Sequence, residues 1–345
     1  MNFSKRLLKW YKKNGRSLPW RGIKDPYLVW LSEIILQQTR IQQGMPYYNK
    51  LSVAYPTIDK MAAASEQEIL KLWQGLGYYS RARNMHHTAQ YITKELKGVF
   101  PTTFEGLLGL KGVGNYTASA IASICFELPE PVVDGNVYRF FSRFFGIKSA
   151  IDENKSLEPF KKIGREMIKD VLPSDFNQAI MEFGALQCVP QPNCEICIFK
   201  SDCWARGNNW IDKLPVKSKK IKIKIRYFNY IVFLSKDKQT RLYKRNKKDI
   251  WYQLYEFPLI ETSKKVPKNQ LIKHKSFQKI VNDNSLEISR YNKKAILHKL
   301  THQNIYIYFW IAKPPSLSKP YNLILKLKDY PVPVVIDKFI KNFYI

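Results

Sequence analysis

Four of the chain's five cysteines, Cys188, Cys194, Cys197 and Cys203, follow one another as C-x5-C-x2-C-x5-C in the loop-rich stretch GALQCVPQPNCEICIFKSDCW. This constrains the fold more than any other feature, because four thiolates so close in sequence can wrap one compact centre. A metal site in a reducing compartment suits them better than a disulfide framework. The spacing leaves two occupants open, a single zinc held by four thiolates and an iron–sulfur cluster.

The texture of the chain changes just after that cluster. From residue 4 to about 205 apolar residues recur at three and four, as in Leu28, Leu31, Ile34 and Ile35 and again in Ala118, Ile121, Ala122 and Cys125, which predicts an all-α unit. The basic stretch LPVKSKKIKIKIR then leads into alternating runs, YFNYIVFL, TRLYKR and NIYIYFWIA, that read as strands. With 345 residues there is room for two domains. The expected boundaries are a helical domain over 1–205 with its cysteine loop at 188–203, a basic linker over 206–221, and a smaller α+β domain over 222–345.

Lysine and arginine outnumber aspartate and glutamate 57 to 28, a net charge of +29, which points to a polyanionic partner with nucleic acid leading. A lysine-rich proteome would leave the same imprint, since the basic residues are spread along the chain. The N-terminal MNFSKRLLKWYKK lacks the apolar core and small-residue cleavage site of a signal peptide, and a cytoplasmic protein is expected.

Three further features carry chemistry. LLGLKGVGNYTASAI, residues 107–121, reads as helix, Gly-Val-Gly hairpin and helix, preceded by a capping box at Thr102 and Glu105. Gly112 and Gly114 would permit the tight turn and let backbone N–H groups approach a phosphate. Glu33 has Val29, Trp30 and Leu36 as helical neighbours, so its carboxyl is expected to be desolvated and suited to donating a proton. Asp134 ends an apolar run and precedes GNVYRFFSRFF, a helix start whose dipole and free N–H groups favour the ionised form. One acid and one carboxylate are what cleavage of an N-glycosidic bond needs, although a plain N-cap and a solvated helix residue would look the same singly.

Together with PWR at 19–21, SEIILQQT at 32–39, GLGYYSRARN at 75–84, LKGVGNYTASA at 110–120 and VDGNV at 133–137, these residues make the chain resemble the MutY-type adenine DNA glycosylases of the helix-hairpin-helix superfamily over nearly its full length. The resemblance implies a [4Fe–4S] cluster on the four cysteines and a helical domain that grips duplex DNA by its hairpin while adenine is flipped into a pocket. It assigns Glu33 to protonate adenine at N7 and Asp134 to stabilise the sugar cation or trap it covalently. Tyr116 and Asn136 would support that site, Arg21 and Gln178 would line the adenine pocket, and Gln38 and Tyr78 would fill or wedge the base stack. The similar endonuclease III carries a lysine where this chain has Tyr116. Without an amine no Schiff base forms there, so a monofunctional enzyme is expected.

The second domain resembles the family's Nudix-like domain, through RNKKDIWYQLYEFPLIE and LHKLTHQNIYIYFW, and shows no glutamate-rich hydrolase box. A role in recognition follows: the family's Phe-Ser-His loop reads 8-oxoguanine, and here Leu300, Thr301 and His302 align with it. Two departures stand out, a first cysteine gap of five residues where the family usually has six, and Leu300 in place of an aromatic ring. The expected activity is excision of adenine opposite 8-oxoguanine, with adenine opposite guanine a second substrate, by a monomer. The rivals are a glycosylase of the same fold with another target base and a non-catalytic iron–sulfur DNA-binding protein.

Overall fold

The helix Pro26–Leu36 is apolar almost all round, so it has to be central, and it is: Val29, Trp30, Leu31, Ile34 and Ile35 are all buried. Proline at its first position and Asp25 at its N-cap, whose carboxylate accepts from Tyr27 N at 2.8 Å, set its start. The buried guanidinium of Arg81 ends it, donating to the carbonyls of Ile34, Ile35 and Gln37 at 3.0, 2.7 and 2.6 Å. Around it pack the helices Ile41–Ala54 and Asn115–Phe126, and against the latter lies Pro173–Leu186, which also packs on Phe3–Asn14 and Gly135–Phe145.

The computed structural model describes residues 3–153, 155–218, 223–281, 286–314, 317 and 320–344. The chain divides into two units, Met1–Ala64 with Arg81–Lys219 and Ser65–Ser80 with Lys220–Ile345. The helical half therefore gives up an internal segment. Residues 206–218, expected as a linker, pack on the first unit: Arg143 Nε donates to the carbonyls of Ile211 and Leu214 at 2.9 and 3.1 Å, and Ser218 N to Asp152 Oδ1 at 2.9 Å. The last linker positions, 219–221, and residue 222 lie outside the described residues.

The hairpin forms as expected, with the short helix Phe104–Leu108 entering and Asn115–Phe126 leaving. The entering cap differs: Thr103, not Thr102, is the N-cap, its hydroxyl accepting from Gly106 N. Glycine then stands where a capping box needs Glu or Gln, and Glu105 falls one position short. Gly112 has φ +86° and an added Cβ would come within 2.8 Å of Asn84 Cβ, so it is needed for both backbone and packing. Gly112→Ala should destabilise the unit by at least about 1 kcal/mol, read from thermal or urea unfolding; an unchanged midpoint would refute the packing argument.

In the second unit, strands Lys224–Phe233 and Gln303–Ala312 pair in parallel over ten residues. Leu259–Thr262, Ile288–Arg290 and Ile296–Leu300 join them antiparallel, making a mixed five-stranded sheet. Both faces are covered. Ile231, Tyr308 and Trp310 bury against Leu271, Phe277 and Val281, while Phe309 on the other face stacks on Phe339 of the helix Val334–Tyr344 at 4.0 Å. The segment 65–80 begins with a capping box at Ser65 and Glu68, and joins this unit through Gln74, whose amide donates to Asp337 at 2.9 Å and accepts from Val332 N at 3.2 Å.

Candidate active site and cysteine loop

Six of the expected site residues, Glu33, Asp134, Tyr116, Asn136, Arg21 and Gln178, line one cavity of about 190 Å3 inside the helical unit. Four helices supply five of them, and the turn before the central helix supplies Arg21. Glu33 comes from the central helix, Tyr116 from the helix leaving the hairpin, Asp134 and Asn136 from the start of Gly135–Phe145, and Gln178 from Pro173–Leu186.

Glu33 is 7% exposed, and burial pushes its pKa up to about 7. The nearby Asp134 charge adds to the rise, and a hydrogen bond with the Tyr116 hydroxyl opposes it. The Tyr116 phenol is itself driven well above its ordinary range by burial and the two acids, and so stays neutral. A carboxyl raised this far keeps its proton closer to neutral pH than an ordinary glutamate does, the condition a general acid needs.

Asp134 is the N-cap of its helix, accepting from Asn136 N at 2.9 Å and Val137 N at 2.7 Å, with Asn136 Nδ2 donating at 2.7 Å. The sequence led us to expect these donors to hold the carboxyl down, and they do pull in that direction. The net direction is upward, because burial outweighs them. Of the two acids Asp134 still has three donors against Glu33's one, so it is the better host for the negative charge. Asn136 is locked in turn by Arg139, which donates to its Oδ1 at 3.0 Å and to the carbonyls of Gly184 and Cys188 at 2.6 and 2.7 Å.

Two lining residues escaped the sequence. Glu182, buried, receives Arg16 through Nε and Nη2 at 2.8 and 2.7 Å and Arg21 through Nη1 and Nη2 at 3.1 and 2.6 Å. Those hydrogen bonds hold its pKa down, to about 2, against the desolvation that would raise it. Glu182 follows Gln178 by four residues, the spacing that puts two side chains on one helix face, and that was the available signal. Arg21 lines the cavity as expected, but most of its donors are spent on Glu182 and on the carbonyl of Arg16 at 2.7 Å.

The remaining expected residues lie outside this cavity. Gln38 is exposed on the loop after the central helix with φ +54°, a conformation non-glycine residues adopt sparingly. Gly114 is the N-cap of the outgoing helix with ordinary φ, no side-chain cap and nothing within 4 Å of an added Cβ. Its neighbour in the turn is tied to the central helix by Gln37, whose Nε2 donates to the Gly112 carbonyl at 3.3 Å. In the second unit Thr301 and His302 form the exposed two-residue tip between the strands Ile296–Leu300 and Gln303–Ala312. Tyr78 belongs to that same unit, and its hydroxyl stands 3.1 Å from Thr301 Oγ1.

Cys188, Cys194, Cys197 and Cys203 all line a second cavity, walled by Phe140, Phe183, Phe199 and Ile211, and none is in a disulfide. Two of the sulfurs accept from N–H donors: Phe199 N reaches Cys197 Sγ at 3.4 Å, and Arg143 Nη1 reaches Cys188 Sγ at 3.7 Å. Among the described residues no three His, Cys, Asp or Glu side chains converge tightly enough for one metal ion. Four thiols around one small apolar cavity are a donor set that suits a thiolate-held metal centre.

Comparison with known proteins agrees with this architecture. Residues 31–166 match the HhH-GPD superfamily of base excision DNA repair proteins and residues 229–342 match the NUDIX domain, so the fold is that of a base-excision DNA glycosylase carrying a Nudix-like unit. The adenine DNA glycosylase of Buchnera aphidicola subsp. Acyrthosiphon pisum is 33% identical over 99% of this chain and 99% of its own, and the human adenine DNA glycosylase is 41% identical over 58% of this chain and 38% of its own. The chain belongs to the adenine DNA glycosylase family. The chain is also similar to a thermostable thymine-DNA glycosylase, at 27% identity and a TM-score of 0.56 over 60% of this chain and 95% of that one. An endonuclease III bound to DNA, 22% identical with a TM-score of 0.52 over 60% of this chain and 94% of that one, shares the fold.

Proposed function

We propose that the protein removes adenine mispaired with 8-oxoguanine, and with guanine, from duplex DNA by flipping the base into the 190 Å3 cavity and hydrolysing its glycosidic bond. The observation that carries this is the buried Glu33, its carboxyl pKa raised by that burial, facing the same cavity as the hydrogen-bonded Asp134. Glu33 donates its proton to the leaving base while Asp134 stands beside the positive charge that grows on the sugar. Tyr116 and Asn136 orient the two acids. Gln178 and the Arg16–Glu182–Arg21 group form the wall that meets the base edge. Among the described residues lining the cavity none is a lysine, which supports hydrolysis without a Schiff base.

The hairpin grips the backbone. Because Gly114 needs neither its glycine conformation nor the space for this unit's own sake, the open N-terminus of its helix is free for a phosphate. Gly114→Val should weaken duplex binding several-fold at a stability cost of no more than about 1 kcal/mol, valine being a poorer N-cap than glycine; unaltered affinity would count against the phosphate contact. Gln38 and Tyr78 enter the base stack, and Thr301 with His302 reads the base opposite adenine, Tyr78 backing Thr301 through their hydrogen bond. The four cysteines would hold a [4Fe–4S] cluster in the loop whose Cys188 carbonyl anchors Arg139. The protein works as a cytoplasmic monomer on chromosomal DNA.

Single-turnover excision on duplexes holding adenine opposite 8-oxoguanine, guanine or thymine, and thymine opposite guanine, tests the reading. Adenine opposite 8-oxoguanine should be excised fastest. Preference for thymine would favour the rival glycosylase, and background rates on every duplex would favour a DNA-binding protein without catalysis. Affinity should fall steeply with added salt, as phosphate contacts require.

A further inference from the structure

The second unit buries a cation at the foot of its exposed tip. Arg226 sits on the strand Lys224–Phe233, two residues on from Lys224, which aligns with Gln303, so Arg226 and Gln303 share a face of the sheet. Gln303 is the first residue after Thr301 and His302, and both it and Arg226 are buried. Arg226 Nε and Nη2 donate to the two carboxylate oxygens of Glu261 at 2.7 and 2.8 Å, and Nη2 donates again to Asp249 at 2.8 Å. The bonds from Arg226 hold Glu261's pKa down to about 2, so this fork stays charged at neutral pH. Nη1 donates to Gln303 Oε1 at 3.2 Å.

A guanidinium has no acceptor, so the amide of Gln303 can meet it only through its oxygen. Glu261 and Asp249 fix the plane of that guanidinium independently of Gln303. A buried glutamine is costly unless its amide is satisfied, and here Arg226 supplies a charged donor. Backbone bonds act beside this clamp: Lys224 N donates to the His302 carbonyl at 2.9 Å, and Leu300 aligns with Gln303 across the turn. Only Thr301 and His302 stand between those two strand residues, so a hold on Gln303 restrains where their side chains point. 8-Oxoguanine differs from guanine by a carbonyl at C8 and a proton on N7. Reading so small a difference needs side chains held to within about half an ångström.

We propose that Arg226 is a positioning residue for lesion selectivity, holding the Thr301–His302 tip through Gln303 in the geometry that separates 8-oxoguanine from guanine. The proposal rests on the reading of that tip as the part that meets the base opposite adenine. Guanine lacks the C8 carbonyl and the N7 proton, so loosening the clamp costs rate on the 8-oxoguanine duplex first.

The test is single-turnover excision by the holoenzyme, at saturating protein, of adenine opposite 8-oxoguanine and opposite guanine. Gln303→Met keeps an unbranched side chain and removes the amide oxygen, leaving Arg226 its three carboxylate bonds; Gln303→Leu removes the same acceptor with a different shape. We expect the ratio of the two rates to fall by roughly fivefold or more in either variant, the scale of one hydrogen bond. Rates at saturation report folded protein only, so lost stability alone leaves the ratio unmoved, and either variant decides by itself where the other fails to fold. In a Thr301→Ala/His302→Ala background, which should itself lower the ratio, Gln303→Met should change nothing further. A wild-type ratio in the Gln303 variants, or an equal further drop in the Thr301→Ala/His302→Ala background, overturns the proposal. A wild-type ratio in Thr301→Ala/His302→Ala itself would instead overturn the reading of the tip on which the proposal stands.

Discussion

Glu33→Gln is expected to bind mismatched duplex as wild type does and to lose roughly 10²- to 10⁴-fold in single-turnover excision, the range a positioned general acid supplies. The amide fits the same buried space and keeps a partner in Tyr116, but has no proton to deliver. Wild-type excision should be fastest below neutrality and decline as pH rises through about 7, where Glu33 deprotonates, and the variant's residual rate should lack that decline. The same burial has a stability consequence of fixed sign. A carboxyl whose folded pKa lies at about 7, above its ordinary 4.5, contributes most to stability at low pH and loses it as pH rises through 7. Its ionisation costs the fold about 3 kcal/mol, so the inactive variant should be the more stable protein at pH 8 and nearly equal to wild type at pH 4. A Glu33→Gln enzyme that excises at wild-type rate would remove Glu33 from the mechanism.

The sign of the Glu33 shift was legible in the sequence because its largest cause, burial, begins with Val29, Trp30 and Leu36 on its own helix face, although the Tyr116 bond that opposes it and the Asp134 charge that adds to it come from far along the chain. For Asp134 the local part was legible too, since a carboxylate before GNV announces an N-cap. The net direction was not, because it depends on how deeply helices distant in sequence bury the cap. Glu182 failed for a related reason. A glutamate in a helix ordinarily reads as solvated, and nothing near it in sequence reveals that Arg16 and Arg21 arrive from 161 to 166 residues away. Gly112 and Gly114 look alike in KGVGN, yet one is dictated by its own backbone and by Asn84, while the other is open. The segment 65–80 shows the limit most clearly. Its helical periodicity was readable, but which core a helix joins is decided by partners such as Asp337 and Val332, far along the chain.

Asp134→Asn separates charge from architecture at the other end of the reaction. Asparagine caps a helix as well as aspartate does, and its Oδ1 can still accept from the N–H groups of Asn136 and Val137. What it loses is the negative charge and the bond from Asn136 Nδ2, since two N–H2 groups would then face each other where Oδ2 now accepts at 2.7 Å. That lost bond is worth about 1 kcal/mol. Against it, the variant no longer buries a carboxylate whose pKa burial has raised. Because a raised carboxyl pKa means stability lost as pH rises, the relief should grow with pH, and the unfolding midpoint near neutrality should stay close to wild type. Excision should nevertheless fall by roughly 10²- to 10³-fold, the range seen when one electrostatic partner of a transition state is removed. Asp134→Ala makes the comparison decisive: it should match that loss of activity and also cost about 0.5–2 kcal/mol of stability through the missing cap. If Asp134→Asn kept wild-type rates while Asp134→Ala did not, the side chain would be a cap and nothing more. The charge opposing the sugar cation would then have to come from elsewhere in the cavity, where Glu182, held ionised by two arginines, is the remaining carboxylate among the described lining residues.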